Sequence, residues 1–306
     1  MAPASSFTFN VLTDTLPEDH SIPAFMVSTT RGFLPRQDPV IELPVEFNVL
    51  ESILSRMPIK TASGFPGLLA NGTLGDTVFK ELPNLTDAIE KYRDDLPLMN
   101  AIYRDYSFLA SAYLLEPCHQ RFMHGEGYGL ARQTLPSSIA LPIVKVAEIV
   151  GFKPFMEYAG SYALFNYRLA DPAQGLEYSN LRLIRAFEHG LDPESSEAGF
   201  VLVHIAMVRR SGELVKGAVD MLNGCSSRDR DLFDAGLKAV ISALEKVNAV
   251  MNTMWNRSKP GSYTGFRTFI FGITSQSMFP DGVIYEGVSD EPMSFRGESG
   301  ANDSMV

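Results

Sequence analysis

Cysteine is scarce in this chain of 306 residues: Cys118 and Cys225 are the two present, far apart in sequence and unable to build a disulfide framework, which fits a reducing compartment. Basic charge is also short, with 26 Lys and Arg against 36 Asp and Glu and a net charge of −10. That balance argues against an electrostatic binder of nucleic acid. Long apolar runs are missing too. The most apolar stretch, residues 200–208, contains His204 and falls well short of the roughly 20 residues that span a bilayer. No basic segment followed by an apolar one opens the chain, so neither export nor membrane insertion is expected, and the expected location is the cytoplasm. What is present is 45% hydrophobic residues with 20 Phe and 11 Tyr. This is the composition of a packed globular protein, with material for about two domains.

Residues 1–75 are rich in Pro, Thr and Gly and read as extended chain and short helices wrapped around a helical body. Helical periodicity takes over from Asp76. Between residues 85 and 115, Ile89, Tyr92, Leu96, Met99, Ile102, Tyr103, Tyr106, Leu109 and Tyr113 recur largely at three- and four-residue steps. A loop with Gly125, Gly127 and Gly129 follows. Ser137 and Ser138 then stand as candidate caps for an apolar helix ending near Gly151. Residues 200–221 read as a helix pair started by Ser195 and Ser196, with Glu194 and Glu197 near the positive end of the first dipole. The clearest helix runs from Asp229 to Trp255 and is expected to form a bundle core. No strand–helix alternation or internal repeat appears, so the fold class is mainly α.

Several constellations invite chemistry. Cys118, His119, His124 and Glu126 crowd what reads as a solvated inter-helix loop, but no second Cys/His pair exists to complete a zinc site. Gly125–Gly129 does not match a dinucleotide fingerprint and follows a helix rather than a strand. Residues 297–301, Gly-Glu-Ser-Gly-Ala, look like a nucleophile elbow, yet an α/β-hydrolase needs a histidine after its nucleophile and the last histidine here is His204. A turn that lets backbone approach a ligand closely is the remaining reading. His204 shares a helical stripe with Phe200 and Val208. It is either a core histidine bonded to a backbone carbonyl or a site residue. Arg267 sits among aromatic residues and, if buried, must pair with an internal carboxylate or an anionic ligand.

The segments around Trp255-Asn256, Ser262-Tyr263, Phe266-Arg267, Phe279–Val288 and Phe295–Ser304 closely resemble the indoleamine 2,3-dioxygenase family, particularly its fungal members. The match extends in order through Arg31–Pro35, Tyr106–Ala110, Leu135–Pro142, Pro154–Ala159 and Gly199–Val203. The resemblance implies an enzyme carrying haem b that converts L-tryptophan and O2 to N-formylkynurenine, the first step of tryptophan catabolism by the kynurenine route. It implies a helical fold with a smaller N-terminal domain over residues 1–190 and a larger haem domain over 191–306. By position, Arg267 resembles the clamp for the substrate carboxylate, and Phe200, Tyr263 and Phe266 the walls of the indole pocket. Tyr158 and Ser161 would line the inner end of the distal pocket, and Gly297, Ser299 and Gly300 the small-residue loop over the haem. His204 stands where vertebrate members carry serine; as in the similar tryptophan 2,3-dioxygenases, it would accept a hydrogen bond from the indole N–H. The proximal haem histidine is expected beyond Val306, since His20, His119, His124 and His189 match no ligand position. The alternative is therefore a non-catalytic relative that binds haem or tryptophan weakly. A full-length member is expected to be a monomer.

Overall fold

The computed structural model describes residues 10–190 and 192–296. Ten α-helices lie within them: α1 (Asn48–Arg56), α2 (Leu68–Asn71), α3 (Leu74–Glu81), α4 (Thr86–Lys91), α5 (Leu96–Met123), α6 (Ser137–Val150), α7 (Ser196–Val208), α8 (Ser211–Ser227), α9 (Arg230–Met251) and α10 (Pro260–Arg267). Two short ladders complete them. β1 (Thr134–Leu135) pairs in parallel with β4 (Ile284–Tyr285), and β2 (Tyr167–Leu169) pairs antiparallel with β3 (Leu181–Leu183). The mainly α expectation holds.

α5 is the axis of the molecule. Asp95 caps it by accepting from the Leu98 N–H at 3.0 Å, and the helix is 28 residues long, about 42 Å at 1.5 Å per residue. Its buried residues run from Pro97 to His119 on every side, so it shows almost no amphipathic pattern and is surrounded by other elements. Cys118 and His119 belong to this helix and are buried, which corrects their placement in a solvated loop. The helix continues through Pro117, and only beyond Met123 do the left-handed Gly125, Gly127 and Gly129 turn the chain.

α6 ends where expected, on left-handed Gly151. Its start differs: Pro136 occupies the cap without a side-chain bond, and Ser137 opens the helix itself. α8 and α9 form a tight hairpin in which Gly217 and Gly236 face each other. A Cβ on Gly236 would lie 2.7 Å from the Gly217 carbonyl oxygen, so both positions must lack a side chain. α9 was expected to form a bundle core, but it lies at the surface. Leu237, Ile241 and Leu244 are exposed on it, and Trp255 beyond it is 75% exposed. The periodic stripe is real, but among the described residues little covers it.

Buried charge ties remote segments to this frame. Asp105 on α5 accepts from Arg104 Nε and Arg185 Nε, both at 2.8 Å, and again from Arg185 Nη2 at 2.6 Å. Glu116 receives the Leu74 and Gly75 N–H groups at the start of α3, at 2.7 and 3.1 Å, together with Arg132 at 2.6 Å. Arg36, also buried, forms no ion pair among the described residues. Its guanidinium donates to the carbonyls of Thr15, Leu16, Asp19, Ile22 and Pro23, holding the N-terminal wrap in place.

Candidate functional site

α7 carries the centre of the site. Ser195 caps it, accepting from the Ala198 N–H at 3.2 Å, and the helix is apolar almost all round and correspondingly buried. Gly199 lets it press against the following segment: a Cβ there would meet the Arg257 carbonyl oxygen at 2.1 Å. One turn further on, His204 is 5% exposed, and burial lowers its pKa to about 4, so the imidazole is neutral near pH 7. Its Nδ1 lies 2.8 Å from the Tyr158 hydroxyl rather than on a backbone carbonyl. Its Nε2 is buried with no hydrogen-bond partner among the described residues.

Tyr158 opens a single π-helical turn, Tyr158–Tyr162, a local widening often found at functional sites. Ser161 lies in the same turn but spends its hydroxyl on the Glu157 carbonyl at 2.6 Å, which leaves a structural role as the one its contacts describe. Gly160 lies against Phe152, whose ring a Cβ would meet at 2.7 Å.

Aromatic rings connect the π turn to α10. Tyr158 meets Phe200 edge-on at 6.5 Å, Phe200 meets Tyr263 at 5.6 Å and Phe266 at 6.5 Å, and Tyr263 and Phe266 stand nearly perpendicular at 5.3 Å. Arg267 lies at the outer edge of this cluster, its guanidinium 5.7 Å from the Tyr263 ring centre and 5.4 Å from that of Phe271. It is exposed, not buried, and forms no ion pair among the described residues. Exposure removes the need for the internal carboxylate that burial would have required.

The first turn of α7 holds a group whose environment the sequence does not reveal. By sequence Glu197 is a dipole partner at the helix start. It is instead wholly buried, accepts the Phe187 and Glu188 N–H groups at 2.8 and 2.6 Å, and receives the Tyr162 hydroxyl at 3.1 Å. Burial outweighs these bonds and pushes its pKa up to about 8. The reciprocal bond from the Glu197 N–H to Glu188 Oε2 makes a two-way clasp between the chain after β3 and α7. A glutamate near a helix start is an ordinary sequence feature; its partners come from segments that only the fold brings near.

The other histidines lie elsewhere. His20 contacts Asp95, His124 bonds the Gln120 carbonyl, His189 lies near Asp192, and His119 packs on the Phe269 ring. Gly297, Ser299 and Gly300 fall outside the described residues. Among the described residues no cluster of three or more His, Cys, Asp or Glu could hold a metal ion, and no helix is long and apolar enough to cross a membrane.

The family model for indoleamine 2,3-dioxygenase matches residues 21–306. The chain belongs to that family. Similar proteins include indoleamine 2,3-dioxygenase 1 of Mus musculus, 25% identical over 269 residues that cover 87% of this chain and 60% of the mouse protein. The Saccharomyces cerevisiae indoleamine 2,3-dioxygenase is 24% identical over 294 residues, 92% of this chain and 59% of the yeast protein. A protein named myoglobin from Haliotis diversicolor is 26% identical over 293 residues, 94% of this chain and 68% of its own. The chain thus spans about 60% of the length of the mouse dioxygenase it matches. In this family member, α7, the π turn and α10 bring Tyr158, Phe200, His204, Tyr263 and Phe266 into one cluster, with Arg267 beside it.

Proposed function

We propose that this chain is a haem-dependent dioxygenase that converts L-tryptophan and O2 to N-formylkynurenine. The observation that carries the reading is the neutral, buried His204, set among aromatic rings beside an exposed guanidinium, with neither its Nε2 nor that guanidinium partnered among the described residues. A polar atom left unsatisfied in an apolar surround is costly unless a ligand meets it. Tyr158, Phe200 and His204 would line the distal face of a haem b. When bound, ferrous haem would supply the dioxygen chemistry.

The protein's share is to bind, orient and exclude water. Phe200, Tyr263 and Phe266 would pack on the indole. Arg267, with its planar fork, would pair with the tryptophan carboxylate and fix the direction of the ring. A domain boundary near residue 190 and a cytoplasmic location belong to the same reading.

The test is direct. The purified chain is mixed with haem and examined for a Soret band, a shift of that band on adding CO to the reduced form, and N-formylkynurenine production from tryptophan. Band and product together support the proposal; a chain that holds no haem overturns it. The positions of the histidines favour one second reading, a non-catalytic relative that binds haem or tryptophan weakly. His20, His119, His124 and His189 are engaged with Asp95, Phe269, Gln120 and Asp192, and none is assigned as an axial ligand. Tryptophan binding without turnover would select that reading.

A further inference from the structure

Tyr158 and His204 share one hydrogen bond, 2.8 Å between Oη and Nδ1, with both residues buried. The direction of that bond decides what the other ring nitrogen offers. In a neutral imidazole one nitrogen carries the proton and the other a lone pair, so the state of Nδ1 dictates the state of Nε2. A phenol is a much stronger acid than a neutral imidazole N–H, and an imidazole lone pair is a much stronger base than a phenolic oxygen. The favoured arrangement is O–H···N, not N–H···O.

We propose that Tyr158 is a positioning residue: its hydroxyl donates to Nδ1 of His204 and thereby holds the imidazole as the tautomer protonated on Nε2. The unpartnered Nε2 is then a hydrogen-bond donor, and the ligand atom that meets it must be an acceptor. Resting on the dioxygenase reading, that acceptor is dioxygen rather than the indole N–H. His204 would then favour the oxygen co-substrate, and selection among indoles would fall to the aromatic walls and Arg267. This reverses the role that the family resemblance implies for His204.

Tyr158 can play this part because its backbone is held. The π turn bonds Ala163 N–H to the Tyr158 carbonyl at 2.8 Å, and the ring packs against Tyr162 and Phe200. His204 is fixed from its own side by α7.

The experiment uses the full chain labelled with 15N-histidine, without haem or tryptophan, so its outcome does not depend on whether the dioxygenase reading survives. Long-range 1H–15N correlation spectra report the protonated nitrogen of each histidine, and His204→Gln identifies the His204 signals. The expected result is a His204 protonated on Nε2 with a bare, hydrogen-bonded Nδ1, and loss of that single dominant form in Tyr158→Phe. A wild-type His204 protonated on Nδ1, or a tautomer unchanged in Tyr158→Phe, overturns the proposal. Should Tyr158→Phe fail to fold, incorporation of 3-fluorotyrosine, a more acidic phenol, replaces it. The Nδ1 resonance of His204 should then move while His20, His124 and His189 stay in place, and an unmoved His204 resonance overturns the proposal equally.

Discussion

Tyr162 and Glu197 meet at 3.1 Å in a fully buried site, hydroxyl to carboxyl, and Glu197 forms no ion pair among the described residues. The Glu197 carboxyl is pushed up to about 8 from a usual value of 4.5. Between those two values the folded chain holds a proton that the unfolded chain has released. Stability from this group is therefore complete below about pH 4.5 and falls as the pH rises toward 8, by up to about 1.4 kcal/mol per pH unit. Glu197→Gln should flatten that slope and be at least as stable as the wild type at pH 8. Urea unfolding at pH 5, 6.5 and 8 checks it.

Histidine burial acts in the opposite sense. His119 and His204 are both lowered to about 4, so the unfolded chain binds protons that the fold rejects. Their contribution is fully present above about pH 6.5 and is lost as the pH falls toward 4. His119→Leu, at a site facing Phe269, should make acid unfolding less steep, as followed by circular dichroism.

Asp105 holds Arg104 and Arg185 at once. Asp105→Ala leaves two largely buried guanidinium groups without it, and removing one partner of such a network costs about 3–5 kcal/mol. The expected outcome is a large drop in the denaturation midpoint, with Asp105→Asn falling between the two.

Arg267 should separate binding from folding. Being exposed and free of ion pairs among the described residues, it can change to Ala with little effect on melting. Loss of a charge-assisted bond to a carboxylate costs about 1.5–3 kcal/mol, so tryptophan affinity should fall by roughly 10- to 150-fold. Arg267→Lys should recover only part of it, because an ammonium lacks the planar fork. Calorimetry with tryptophan and with tryptamine, which has no carboxylate, distinguishes this clamp: tryptamine affinity should not change.

The exposed face of α9 should make copies of the chain associate. Leu237, Ile241 and Leu244 lie at four- and three-residue spacing and are all exposed. Light scattering against concentration should show self-association, and Ile241→Glu with Leu244→Lys should reduce it while leaving the melting temperature nearly unchanged. A monodisperse wild-type chain at high concentration would count against this.

The helical body was legible because its signal is local. Apolar spacing placed the helix pair of α7 and α8, and Gly151 marked the end of α6. What that signal lacks is the identity of the covering surface. α9 and α5 both carry rich apolar content, yet one is nearly surrounded and the other is not. Buried charge was the least readable feature. Glu197 takes partners from residues 162, 187 and 188, and Asp105, beside its neighbour Arg104, takes Arg185, distances in sequence at which no spacing rule operates. At the site, the residue types of His204, Phe200, Tyr263 and Arg267 drew attention, but the Tyr158 bond to His204 and the exposure of Arg267 needed coordinates.

Arg36 gathers the N-terminal wrap at a single point. Five carbonyls from residues 15–23 converge on one guanidinium, which forms no ion pair among the described residues. Peeling back the strap by a few residues would strand a cation in the interior. Loosening one of these carbonyls therefore weakens the hold on its neighbours at the same point, while the His20 contact with Asp95 still ties the segment to the start of α5.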